Sequence, residues 1–80
     1  MQIKVDPEAD AAYVRVTDEP VARTQPKNDQ IIVDYDARGE IRGIELLDVG
    51  EGVDLGELFS HELTTALERL LTEHHIQTLV

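Results

Sequence analysis

The stretch IIVDYDARGEIRGIELLD, residues 31–48, decides the fold. Ile31, Val33 and Tyr35 alternate with Ile32 and Asp34, the period-two pattern of a half-buried strand. Asp36-Ala37-Arg38-Gly39 follows as a turn, with Gly39 suited to the positive φ after a type I turn, which makes a G1 bulge. Ile41 to Leu47 returns as a second strand, and it contains a conflict. Ile41 and Ile44 are three apart, so strict alternation cannot bury both. Gly43 lies between them, and the pattern predicts a bulge or sharp bend at Arg42-Gly43 that turns Ile44 and Leu46 inward.

Working outward toward the N-terminus, Gln2 to Val5 alternates, with Ile3 and Val5 on one face. Asp6 to Asp10, with Pro7, reads as a turn. Ala12, Val14 and Val16 share one face of the next strand, with Tyr13 and Arg15 on the other. Val21 to Gln25 reads as a further strand. Pro20 and Pro26 flank it and cannot donate to a ladder, which places it at a sheet edge.

Toward the C-terminus the period changes after Gly50-Glu51-Gly52. Leu55, Leu58, Phe59, Leu63, Ala66, Leu67, Leu70 and Leu71 follow helical spacing. Either one helix starts near Leu55, with Asp54 and Glu57 as a capping box, or a short turn precedes a helix from about His61 with Ser60 as N-cap. Gly56 inside a helix costs about 1 kcal/mol and favours the second arrangement. Ile76 to Val80 is apolar without a period, a tail that frays or adds a small strand to a partner. The expectation is a single α+β domain over residues 1–80. An antiparallel β-meander of four to five strands occupies residues 1–49, and a helical segment over 54–75 packs on one of its faces, with a tail at 76–80.

Eighty residues with no cysteine exclude disulfides, thiolate metal sites and a Cys nucleophile. No run approaches the roughly 18 apolar residues of a membrane helix. The first residues lack the basic-then-apolar layout of a signal peptide, so a cytoplasmic protein is expected. The net charge is −10, with 12 acids and 6 bases in residues 1–53 and 5 acids and 1 base in residues 54–80. Binding to phosphate backbones needs clustered Lys or Arg, which are missing, so nucleic acid is not an expected partner. A basic protein is the partner that this sign of charge attracts; the charge also simply serves solubility.

The chain offers little catalytic chemistry. Asp34, Asp36, Gly39, Ile41 and Glu45 fall at positions one, three, six, eight and twelve of the EF-hand pattern, but Arg38 occupies position five and the flanks read as strands. His61-Glu62-Leu63-Thr64-Thr65 begins like a zinc-protease motif and fails at Thr65. His74 and His75 stand near a helix C-terminus, where the helix dipole favours them. There is no phosphate-binding loop, and no catalytic residue, cofactor or enzymatic activity is expected. The candidate interaction surface comprises Tyr13, Tyr35, Asp34, Asp36 and Glu45. If both tyrosines face the same side of the sheet, they form an aromatic patch.

Two separated blocks resemble a known family. The first is Val5-Asp6, Ala9-Asp10-Ala11 and Tyr13-Val14-Arg15-Val16; the second is Val33-Asp34, Asp36, Gly39, Ile41 and Gly43-Ile44-Glu45-Leu46-Leu47. Over about residues 3–49 they resemble the domain of unknown function 2283. The resemblance implies a small bacterial or archaeal domain with no assigned activity, some members being encoded beside candidate toxins. Three functional expectations follow: a protein-interaction module, antitoxin-like toward a basic partner; a metal- or small-ligand-binding domain at the Asp34/Asp36 hairpin; and a structural homodimer through the helix stripe.

Overall fold

The computed structural model describes residues 1–79, and Val80 lies outside the described residues. Five strands, β1 (Gln2–Asp6), β2 (Ala11–Arg15), β3 (Arg23–Pro26), β4 (Ile31–Tyr35) and β5 (Ile41–Leu47), form one antiparallel sheet in the order β1-β2-β5-β4-β3. Two hairpin blocks, β1-β2 and β3-β4-β5, obey the expected neighbour pairing. The link between them does not. Residues 16–22 carry the chain to the far edge, so β2 lies beside β5, the strand order of a Greek key. β3, which ends on Pro26, takes the edge, where a missing donor is tolerated.

The expected bulge is present. Asp34 pairs with Gly43 and Tyr35 with Ile41, which leaves Arg42 as the extra residue. The bulge lets Ile44 be fully buried while Ile41 still packs against the core. The Arg42 carbonyl accepts from Val16 N (2.8 Å) and Thr17 N (3.2 Å), so the bulge also holds the chain as it leaves β2. The β4–β5 turn is the expected type I turn with a G1 bulge. Gly39 N donates to Asp36 O (3.0 Å), Asp36 N donates to Glu40 O (2.9 Å), and Gly39 has φ 81°.

The register sets two rows of apolar side chains on one face: Val5–Ala12–Leu46–Ile31 and Ile3–Val14–Ile44–Val33. The second layer covers this face. It consists of a 3-10 turn (Val49–Glu51), strand β6 (Val53–Asp54), helix α1 (His61–Glu73) and strand β7 (Thr78–Leu79). Val53, Leu55, Leu67, Leu71 and Ile76 complete the core. The helix therefore begins after a turn, as Gly56 suggested, and Ser60 caps it by accepting from Leu63 N (3.2 Å). The expected capping box of Asp54 and Glu57 is not formed. Asp54 lies in β6, and its carboxylate accepts from Gly56 N (2.9 Å).

At its C-terminus α1 closes with His75 in the left-handed region, φ 62°. His75 N donates to Thr72 O (3.0 Å) and Ile76 N to Leu71 O (2.9 Å), the paired bonds of a Schellman motif, which turns Ile76 back into the core beside Leu71. The tail then pairs within its own chain, β7 lying parallel to β6. The leucine stripe packs as the helical half of this core, with Leu67 and Leu71 fully buried inside one chain.

Candidate functional site

Among the described residues, the opposite face of the sheet carries no second layer. Its rows are Lys4–Tyr13–Glu45–Ile32 and Gln2–Arg15–Gly43–Asp34–Thr24. A hydrogen-bonded chain crosses it. Tyr13 Oη donates to Asp34 Oδ2 at 2.7 Å, and Thr24 Oγ1 donates to Asp34 Oδ1 at 2.6 Å. Arg42, projected by the bulge, donates from Nη1 to Tyr13 Oη at 3.1 Å and from Nε to Glu19 O at 2.9 Å. Four strands and the β2–β3 link are thus tied by one tyrosine, one carboxylate, one hydroxyl and one guanidinium.

Gly43 makes this crossing possible. A Cβ there would stand 1.8 Å from Tyr13 Oη and 2.4 Å from its Cζ, so the phenol ring lies across the bare backbone of Gly43 to reach Asp34. Its role is close approach, since its φ is not in the left-handed region. Burial, followed by the bond to Asp34, raises the Tyr13 hydroxyl pKa above its usual range, and the bond to Arg42 opposes the rise. At neutral pH the hydroxyl is a donor to Asp34, as the geometry requires.

The residues expected to form one surface are distributed over three environments. Tyr13, Asp34 and Glu45 share the open face. Tyr35 packs against the core on the other face, beneath Arg23 (4.3 Å from guanidinium carbon to ring centroid) and Lys27 (5.2 Å), so the two tyrosines form no patch. Asp36 is buried in the hairpin, where its Oδ1 accepts from Arg38 N (2.9 Å) and Glu40 N (3.0 Å). It is a turn cap. With Asp34 held by Tyr13 and Thr24, the hairpin carboxylates are committed to the fold. Among the described residues no group of three or more His, Cys, Asp or Glu converges as a metal site, and no helix is long and apolar enough to cross a membrane.

Sequence reasoning missed Thr24 and Arg42 as members of this network and misread the distribution of charge. The open face is balanced, with Lys4, Arg15 and Arg42 against Asp6, Asp34 and Glu45. The acid excess gathers at one end of the sheet. There the 6–10 and 27–30 turns and the 48–54 segment hold seven carboxylates and a single cation, Lys27. At the other end, residues 15–23 and 35–42 hold four of each sign. The acidic end is fastened by two side chains. Asp10 accepts from Gly50 N at 2.9 Å, while its carbonyl accepts from Val49 N at 3.0 Å. Gln30 donates to Gly52 O at 2.8 Å.

The model of the family "Protein of unknown function (DUF2283)" matches residues 2–49, more than half of the chain. The chain belongs to this family. The DUF2283 match spans all five strands of the sheet, including Tyr13, Thr24, Asp34, Arg42 and Gly43. It stops within the turn after β5, so β6, α1 and β7 lie outside the DUF2283 region. No curated protein and no solved structure gives a match.

Proposed function

We propose that this DUF2283 chain is a non-enzymatic protein-interaction module that engages a basic protein through the acidic end of its sheet, sequestering it as an antitoxin does. The segregation of charge carries this reading. Seven carboxylates against one cation at one end, beside a balanced opposite end, give a directional field that steers a basic partner to one place. Asp10 and Gln30 hold the loops that present those carboxylates, so little ordering is lost on binding. Glu8, Asp29 and Glu51 are exposed and make no ion pair or side-chain hydrogen bond among the described residues, which leaves them available to a partner.

The test is co-purification of the tagged chain from lysate of its own source at low ionic strength. A stoichiometric basic protein is expected, released as salt shortens the screening length and lost when Glu8, Asp29 and Glu51 are all replaced by Lys. Recovery of no stoichiometric partner, or retention of the same partner by the triple variant, overturns the reading.

A further inference from the structure

The open sheet face is a second surface, adjoining the acidic end at Asp6. Tyr13, Ala11, Ile32 and Leu47 are half-buried there, with no layer above them among the described residues. Two charged side chains on this face are unused. Lys4 and Glu45 make no side-chain hydrogen bond or ion pair among the described residues, whereas Asp34 and Arg42 are engaged in the Tyr13 network and Arg15 bonds Gln2 and Asp18. Lys4 and Glu45 are also the two cross-strand neighbours of Tyr13, Lys4 on β1 and Glu45 on β5. Tyr13 is therefore flanked by one unpaired cation and one unpaired carboxylate, each one strand spacing, about 4.8 Å, from its own strand.

That arrangement is self-complementary. A two-fold axis running along β2, between two facing sheets, places β1 of one copy over β5 of the other. It faces the two β2 strands across the axis and sets Lys4 of each copy against Glu45 of its partner, while each Tyr13 ring stays over Gly43 of its own copy. A C2 interface requires this reciprocity, residue i meeting j and j meeting i. We infer that the open face is the contact surface of a homodimer, with strand β2 at its centre and two reciprocal Lys4–Glu45 ion pairs at its flanks. A highly charged partner would find no complementary field here, because the face carries three charges of each sign. A second copy meets its own opposite charges. Both edge strands oppose the alternative of edge-to-edge pairing, through Lys4 on β1 and Pro26 on β3. The patch measures roughly 20 by 17 Å from strand and residue spacings. This is less than a standard interface of about 800 Å² per partner, so the dimer is weak and concentration-dependent. The two acidic ends remain exposed, and the dimer neither requires nor excludes the basic partner proposed above.

Sedimentation of the purified chain, raised to about 1 mM where even a weak complex forms, tests this by charge exchange. The wild-type chain is expected to shift from monomer to dimer. Lys4→Glu and Glu45→Lys, each placing like charges opposite one another twice, weaken association by about tenfold or more, and the double exchange restores it. Circular dichroism checks that each variant is folded. Should a reversal unfold the chain, Lys4→Gln and Glu45→Gln replace it, each expected to weaken association. A wild-type chain that stays monomeric, variants that associate as wild type does, or a double exchange without recovery overturns the proposal.

Discussion

The two faces of the sheet are built from the same five strands and could hardly differ more in how they are held. On the inner face, Leu46, Ile31, Val14, Ile44 and Val33 are removed from water entirely, and the contacts are dense and non-directional. On the outer face, stability rests on a few directed bonds: Tyr13 to Asp34, Thr24 to Asp34 and Arg42 to Tyr13. Apolar burial contributes in proportion to area, whereas a hydrogen bond exchanged with water contributes little net energy but fixes geometry. The inner face therefore supplies most of the stability, and the outer face supplies a defined surface.

Neighbouring leucines sharpen this contrast most. Leu46 is fully buried, and Leu47, one residue on, points to the open face half-exposed. Leu46→Ala is expected to cost about 2–5 kcal/mol. Leu47→Ala costs about 1 kcal/mol or less, as for surface substitutions. Denaturant unfolding of both variants measures the difference, and equal costs would break the distinction between faces. Gly43→Ala is the next largest effect, about 1–3 kcal/mol, because the new methyl collides with the Tyr13 ring as in an overpacked core.

Tyr13→Phe keeps the ring and removes the hydroxyl, at an expected cost of about 0.5–1.5 kcal/mol. It also carries a pH signature. The Tyr13 pKa is raised in the folded chain, first by burial and then by Asp34, so the fold favours the protonated hydroxyl. That contribution is complete below the unfolded pKa of about 10 and is lost as pH climbs through the higher folded value. Wild type should lose stability relative to Tyr13→Phe above about pH 10. Parallel pH profiles for the two would contradict the bond.

Periodicity made the inner face legible from the residues. Ile31, Val33, Ile44 and Leu46 declared themselves by alternation, and the misfit of Ile41 with Ile44 pointed to the bulge at Arg42. Gly56 likewise separated the turn from the helix at His61. The outer network was not legible, because its members come from β2, β3, β4 and β5, and their meeting depends on a strand order that local pattern does not encode. Nothing near Gly43 in the sequence indicates that a ring from residue 13 crosses it. Asp36 misled for a related reason. A carboxylate two residues from another looks like a ligand pair, but the turn gave its backbone N–H groups to Asp36, while Asp34 was taken by Tyr13 and Thr24. The charge reading failed in location, since a net value says nothing of which loops the topology gathers at one end.

The dependence of the outer face on a bare backbone at residue 43 is tested most directly by a double-mutant cycle. Gly43→Ala is measured by denaturant unfolding in the native chain and again with Tyr13→Ala, where no ring crosses the glycine. The expected result is a cost of about 1–3 kcal/mol in the native background that falls to near zero, or becomes a slight gain, once the ring is gone. The same cost in both backgrounds would show that the ring does not rest on Gly43, and the account of this face would fail.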